Sequence, residues 1–520
     1  MALWARRIDF RLLAILGVAA IVRLWFFTGL ALGDDVIYAP QSMVFALGKG
    51  WPPQPYHWCT RIGLTVPTAV VIALVGRVHA AFVALPFSAS LASVWLSYRA
   101  GRDVFGARFA GTAGFLHAFY PLEVVFATHL FPDLPVGVLS AAGIYVWWRS
   151  LRSSSVRSAV WSGVLVGAAY LVRETAVICV PVFLALLIYE RPRNWLTLAT
   201  ACAAPAVLVL VAESSLYGVT TGDPLYRLRS VTGQLENPLS VEGMAMSTFG
   251  GGFWMDPLLM TVTSQDFGPF MLIAIVAIIV GARDSRLIPF ALWLVVGFAW
   301  TFYGTTVPWR WQPLMRDPRY VAFVTVPVIV LSTSLVDPLR PGLRNTALVI
   351  LASLGICCAA LDQGPTVRVP HAALLQESYL DQLTLEPFEY YGAWWEHGLN
   401  TPPPFFFGTD AGRQSMVVLF RTLTPTQARA INSNRYFALS VERRPDLYRQ
   451  LLNSGWTVHR VIPGQPRFGR AIVGRLLRLL PTQRERAERI LHPAGLVVLE
   501  NPTASAVMGR RSAGPLTSTN

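Results

Sequence analysis

Eleven apolar stretches run through the first 361 residues, at 12–31, 78–97, 109–127, 133–148, 158–172, 175–189, 195–213, 267–282, 287–303, 320–336 and 345–361. Each is long and apolar enough to predict a helix crossing a bilayer, whose hydrocarbon core takes about 20 residues at 1.5 Å rise. Residues 62–76 are apolar enough to add a further span. With the N-terminus in the cytoplasm, the clusters Arg99/Arg102/Arg108, Arg149/Arg152/Arg157, Arg191/Arg193, Arg283/Arg286 and Arg340/Arg344 all fall on the cytoplasmic side, as the positive-inside rule expects. The opposite face then holds the connections 32–77, 128–133, Arg173-Glu174, 214–266 and 304–319.

Within the first of these, Tyr38 to Leu47 reads as an amphipathic helix, followed by the aromatic and proline-rich run Trp51-Pro52-Pro53-Gln54-Pro55-Tyr56-His57-Trp58. Trp and Tyr of this kind favour the headgroup level, which predicts a loop lying along the membrane. From about residue 362 the period changes. Met416 to Phe420, Tyr436 to Ser440, Thr457 to Ile462 and Leu496 to Leu499 read as short strands, with a helix over Pro445 to Asn453. The basic amphipathic run Phe468 to Leu480 suits either a helix on anionic lipid or a domain helix with a solvated edge. The expected architecture is a polytopic α-helical membrane module over residues 1–361, a small α/β domain outside the cytoplasm over 362–501, and a disordered tail over 502–520.

Composition agrees with this reading. Only 14% of the residues are charged and 53% are hydrophobic, with 17 Trp and 28 Phe, whereas a soluble domain carries about 25% charged residues. The net charge of +14 sits in short clusters between apolar runs. It forms no continuous basic face of the kind nucleic acid requires. Four of the five cysteines, Cys179, Cys202, Cys357 and Cys358, lie inside apolar runs, and with Cys59 they give no disulfide or metal spacing. The segment Leu12 to Ala31, preceded by Arg6, Arg7 and Arg11, is longer than a signal core and reads as an uncleaved first helix.

Acids are scarce in this chain, and several gather at the non-cytoplasmic mouths of the spans. Asp34 and Asp35 follow the first span, His129 and Asp133 occupy the second outer turn, Arg173 and Glu174 the third, and Arg316 and Arg319 precede the tenth. Ionisable groups near membrane depth default to functional roles. Two adjacent carboxylates resist joint ionisation, which raises one pKa towards the range useful for a general base; pairing with Arg23 is the plainer alternative. His129 and Asp133 have an i, i+4 spacing that suits a metal, but Pro132 interrupts it and only two ligands are visible, so a divalent cation is left open. Arg316-Asp317-Pro318-Arg319-Tyr320 places two guanidinium groups where a lipid phosphate would be gripped, with Lys49, Arg61 and Arg173 as candidates to join them; headgroup anchoring is the competing role.

Asp34-Asp35-Val36-Ile37-Tyr38 resembles the DExxY-type sequence in the first outer loop of GT-C glycosyltransferases of the protein mannosyltransferase and aminoarabinose transferase type, with Asp35 in the place of Glu. Phe131-Pro132-Asp133-Leu134-Pro135 resembles their acidic turn, and Arg319-Tyr320 with Pro327 is similar to their late RY motif. The resemblance covers roughly residues 10 to 361. It implies a multi-pass enzyme of the cell (inner or plasma) membrane that moves a sugar from a polyprenyl-phosphate donor to an acceptor outside the cytoplasm, by single displacement with inversion. On this carry-over Asp34 is the base; Asp35, Asp133 and Glu174 orient the acceptor or sugar; Arg316, Arg319 and Lys49 neutralise the departing phosphate. Tyr38 and Tyr320 join the substrate-binding set through the same motifs. The segment with His57, Cys59 and Arg61 matches no subgroup, so sugar and acceptor stay open. A lipid-linked glycan flippase or other transporter is the alternative, though the chain shows no repeated halves.

Overall fold

The computed structural model of the chain describes residues 9–27, 35–48, 51–53, 59–76, 79–235, 252–281, 283–304 and 317–362, and beyond these 405–406, 415–418, 436–439, 445–462, 475, 478, 479, 481, 484–491 and 496–500. Two compact units emerge, one of residues 1–27, 37–76 and 80–362, the other of 363–520 with the short pieces 28–36 and 77–79.

The first unit is helical. In chain order it contains α1 (Phe10–Trp25), α2 (Asp35–Ala46), α3 (Ile62–Val75), α4 (His79–Phe105), α5 (Ala107–Ala118), α6 (Pro121–Phe126), α7 (Asp133–Ser153), α8 (Val156–Val172), a 3-10 turn (Glu174–Ile178), α9 (Cys179–Glu190), α10 (Trp195–Thr221) and α11 (Tyr226–Leu235). There follow α12 (Gly252–Thr263), α13 (Phe270–Val280), α14 (Ile288–Tyr303), a second 3-10 turn (Pro318–Val324), α15 (Thr325–Val336) and α16 (Pro341–Asp362). Each of the eleven apolar stretches overlaps a helix among the described residues, as do the amphipathic piece after Tyr38 and the apolar run after residue 62. Among the described residues, four helical segments are both long and apolar enough to cross a membrane: Ala80–Phe105, Trp195–Thr221, Pro318–Val336 and Pro341–Ala360. The shorter apolar helices α3, α8, α13 and α14 accompany them.

Three stretches expected to be single helices are broken, one of them, 175–189, opening in the 3-10 turn Glu174–Ile178 before α9; the other two lead towards the polar positions described below. The one at 109–127 divides between α5 and α6, because Pro121 holds Tyr120 before it in an extended conformation (φ −69°, ψ 120°). The one at 320–336 opens as a 3-10 turn in which Val321 leaves helical geometry.

Burial ranks the helices. The segment Pro318–Val336 is 78% buried, whereas α10 is only 11% buried, so the first is a central element and the second lies at the periphery of this unit. The interior also holds charge. Arg23 on α1 is fully buried, donating from Nε to Ser90 Oγ on α4 at 2.6 Å and from Nη1 to the carbonyls of Ala19 and Ala118. Ser90 Oγ in turn donates to Glu123 Oε2 at 2.6 Å, and Glu123 Oε1 lies 3.3 Å from His117 Nε2. Each member satisfies a group that would otherwise be costly to bury. Together they pin α6, the six-residue helix that leads into the turn before Asp133. Arg23 is thus committed to this network, where sequence alone had offered it as a partner for Asp34 or Asp35.

The second unit contains a five-stranded sheet in the order β1-β2-β3-β5-β4, built from β1 (Phe405–Phe406), β2 (Ser415–Val418), β3 (Tyr436–Leu439), β4 (Thr457–Ile462) and β5 (Leu496–Glu500). β2 and β3 are parallel and the other pairs antiparallel. Helices α17 (Pro445–Asn453) and α18 (Arg484–Leu491) complete it. Strands β2 to β5 and α17 fall where periodicity placed them, to within two residues at their ends, whereas β1 had no counterpart in that reading. The tail 502–520 and most of Phe468 to Leu480 lie outside the described residues.

Candidate active site

Asp133 opens α7, where a carboxylate favours the positive end of the helix dipole. It is 2% exposed. Arg173, the residue that ends α8, donates from Nη1 to Asp133 Oδ1 in a buried ion pair. The Arg173 guanidinium also lies over the Tyr320 ring, 4.3 Å from its centroid. Burial alone would lower the pKa of Arg173, but Asp133 and the other neighbouring anions raise it overall. On the other side of Tyr320 stands Arg319, stacked over Phe131 at 5.1 Å and Tyr320 at 5.4 Å. Its Nε sits 2.9 Å from Asp317 Oδ2, while Asp317 Oδ1 accepts the Arg319 backbone N–H at 3.0 Å and caps the 3-10 turn.

Of these groups Asp133, Arg319 and Tyr320 border one small cleft, lined also by Ser140, Thr175 and Cys179 and holding about 20 Å³ of free space, room for a water. Asp133 Oδ2 is buried at its edge with no hydrogen-bond partner among the described groups. A buried carboxylate oxygen in that condition calls for a donor or a cation from outside the protein. The approach that forms the cleft depends on Gly137, one turn into α7. A Cβ there would stand 2.8 Å from Ala322 Cβ and 3.1 Å from the Ala322 carbonyl carbon, so no other residue lets α7 and the 3-10 turn meet this closely.

Arg173 adopts extended backbone (φ −158°, ψ 138°), and successive side chains on an extended chain point to opposite sides. Glu174 therefore faces away from Asp133. Arg61, just before α3, grips it with Nη2 at 2.7 Å from Oε1 and Nε at 3.4 Å from Oε2. Arg61 also donates to the Tyr38 hydroxyl from α2. Arg227 on α11 lies 3.6 Å from Glu174, donates to Glu213 at 2.7 Å and to the Tyr170 carbonyl at 2.7 Å, and stacks on the Tyr170 ring. Burial would raise the Glu174 pKa, yet Arg61 and Arg227 hold the carboxyl well below the ordinary range. Gly63 makes this meeting possible: a Cβ there would lie 2.5 Å from the backbone of Leu171 and Val172.

Residues 67–217 match the model of a family described as dolichyl-phosphate-mannose-protein mannosyltransferase. The structure is similar to that of ArnT from Cupriavidus metallidurans in the apo state, at a TM-score of 0.52 and 16% identity, covering 97% of this chain and 98% of that one. ArnT from Cupriavidus metallidurans bound to undecaprenyl phosphate is similar to the same degree, with a TM-score of 0.52, 15% identity, and coverage of 97% and 99%. The chain shares the fold of ArnT. No curated protein matches it by sequence.

Within this fold the residues singled out from sequence sort into two connected groups. Asp133, Arg173, Arg319 and Tyr320 meet around the cleft; Tyr38, Arg61 and Glu174 meet behind it, joined to the first group through the Arg173-Glu174 peptide. His129 is buried among Phe126 and Phe131 rings and is not one of the residues lining the cleft. Asp34, Lys49 and Arg316 lie outside the described residues, and of Asp35 only the backbone is described, as the first residue of α2. Arg227 and Glu213 were missed in the GT-C motif reading because no short pattern marks them; the signal was an arginine two residues after Leu225 in a loop otherwise read as irregular. Among the described residues no group of three or more His, Cys, Asp or Glu side chains is disposed to hold a metal ion.

Proposed function

We propose that this protein transfers a glycosyl group from a polyprenyl-phosphate carrier to a hydroxyl-bearing acceptor on the non-cytoplasmic side of the membrane. One observation carries the reading: Asp133 and Arg319, 186 positions apart in the chain, border a single cleft in a GT-C fold, with a carboxylate oxygen of the first left without a partner. The bond from the anomeric carbon to the phosphate oxygen breaks, and the leaving phosphate takes its electron pair against the Arg319 guanidinium, a strong and geometrically specific oxyanion partner. The acceptor oxygen forms the new bond from the opposite face and inverts the configuration. Its proton passes to a carboxylate, assigned to Asp34 by the first-loop motif. Asp133 Oδ2 accepts a hydroxyl of the sugar or acceptor, held in place by Arg173. That ArnT was crystallised with undecaprenyl phosphate supports a lipid phosphate as the carrier here too.

The test is transfer by purified protein from an extracted pool of radiolabelled polyprenyl-phosphate sugars. Label should leave the lipid fraction with the unmodified protein and stay there with Asp34→Asn, because an amide cannot take the proton. A transporter would instead move intact lipid-linked sugar across vesicles without consuming it. Full turnover by Asp34→Asn removes the base assignment.

A further inference from the structure

The anionic side chains in and behind the cleft are not held alike. Asp133 is joined directly to Arg173 and only 1% of its side chain is exposed; Glu213 is 5% exposed and paired with Arg227; Glu174 lies between Arg61 and Arg227. Asp317 differs. Its side chain is 26% exposed, the highest of the four, and among the described residues its ion pair is with Arg319, at 2.9 Å. That same guanidinium is the one placed to receive phosphate. The Phe131 and Tyr320 rings stand 5.1 and 5.4 Å from it, and Asp317 Oδ2 lies 2.9 Å from its Nε, so an oxyanion brought to this guanidinium meets the carboxylate's negative charge.

We propose that Asp317 is a resident counter-anion of Arg319, which incoming phosphate displaces, so that this carboxylate sets how tightly the site holds its anionic ligand. The inference rests on Arg319 being a phosphate-binding group, as proposed above, and adds a residue with no role in that reading. Asp317 holds a compensating charge beside the guanidinium. It then competes with an incoming oxyanion for that positive charge. The protein gains a charge-compensated arginine and loses part of the affinity that an unpaired one would have. Burial raises the Asp317 pKa, and Asp133 raises it further, against Arg319 and Arg173. Among the described residues these groups are the charged neighbours that act on it, from its own turn, from α7 and from the end of α8. The sign follows: a carboxyl with a raised pKa takes up a proton earlier as pH falls, the neutral form no longer opposes an anion beside Arg319, and phosphate binding strengthens.

The experiment measures binding of a short-chain prenyl phosphodiester to full-length protein in detergent, across the range from neutral to mildly acidic pH. A diester carries a single charge throughout that range, whereas a monoester titrates near pH 6 and would confuse the result. Asp317→Asn keeps an oxygen for the turn-capping bond but removes the charge. It should bind the diester roughly tenfold more tightly at neutral pH, in line with hydrogen bonds to charged groups. Its affinity should also be nearly flat with pH, where that of the unmodified protein rises as pH falls. Inorganic phosphate, run as a competitor, separates the sources: displacement at low millimolar concentration marks a site for free phosphate, and failure to displace marks a lipid headgroup. Unchanged or weaker binding by Asp317→Asn, with binding lost in Arg319→Gln, overturns this inference alone. Undiminished binding by Arg319→Gln overturns both it and the phosphate role of Arg319. A pH-independent affinity in the unmodified protein also counts against it, without recourse to any variant.

Discussion

Replacing Arg173 by methionine isolates the cost of leaving Asp133 without its cation. Asp133 is 2% exposed, its Oδ2 already has no hydrogen-bond partner, and Oδ1 is bound by Arg173. The Arg173→Met change keeps an unbranched side chain and removes the charge, so the carboxylate is stranded in the interior. Breaking a buried pair this way costs about 3–5 kcal/mol, and loss of the contact with the Tyr320 ring at 4.3 Å adds about 0.5–2 kcal/mol. Asp133→Leu strands the opposite charge and should cost a similar amount. The double variant Arg173→Met/Asp133→Leu carries no buried charge at this position, and apolar replacement of a whole buried pair is often neutral or stabilising. A thermodynamic cycle over the four proteins, followed by intrinsic fluorescence during denaturation in detergent, should therefore return a coupling of at least about 2 kcal/mol. All three variants should be inactive in transfer. If Arg173→Met unfolds no more easily than the double variant, the pair does not neutralise a buried charge and the account of Asp133 fails.

Glu174 gives a prediction in pH. Its folded pKa is depressed by Arg61 and Arg227, so the stability it contributes is complete above the unfolded value of about 4.3 and is lost as pH falls through the lower, folded value. The stability difference between the unmodified protein and Glu174→Gln should be constant from about pH 5 to 8 and shrink only in stronger acid; a difference that already declines near pH 6 would show that the carboxylate is not held ionised by its two arginines. Gly137→Ala should cost about 1–3 kcal/mol through overpacking, given the 2.8 Å approach to Ala322, and should depress transfer more than Gly111→Ala, where a Cβ meets nothing within 4 Å. Equal activity of the two would detach the helix approach from the cleft. A cysteine introduced near Thr409 should react with an impermeant reagent in intact cells, and reaction only after lysis would place the C-terminal unit on the cytoplasmic side.

Much of the helical framework could be read from apolar run length, because a bilayer imposes a minimum on it. The breaks could be read only in part: Pro121 is visible in the sequence, but the non-helical Val321 follows from packing of α7 against the turn through Gly137. The strands of the C-terminal unit declared themselves by alternation, though a two-residue strand such as Phe405–Phe406 is too short for any period. At the site, Asp133, Arg319 and Tyr320 were legible because short motifs placed them at span ends with a shared sidedness. The Arg61-Glu174-Arg227 group was not. Arg61 had a name without a partner, and Arg227 belongs to a segment whose helical pattern, Tyr226–Leu235, is weakened by a central glycine and several polar residues. What joins them is contact across 113 and 53 positions, and neither distance leaves a trace in local sequence.

The extended backbone at Arg173 has a mechanical consequence. Its side chain and that of Glu174 leave the same peptide in opposite directions, one into the cleft against Asp133 and Tyr320, the other against Arg61 and Arg227. A shift of α11 that pulls Arg227 away would leave Glu174 with a single cation and move the peptide that also carries Arg173. Because packed interiors respond to such shifts by changing arrangement rather than by stretching, the cleft and the connection after α10 are tied at this one point. The tie explains why Arg173, the single residue between α8 and the following turn, and Glu174, the first of that turn, are both strongly paired charges. It also separates the roles of the two arginines: Arg173 acts on the cleft directly, whereas Arg227 reaches it only through Glu174.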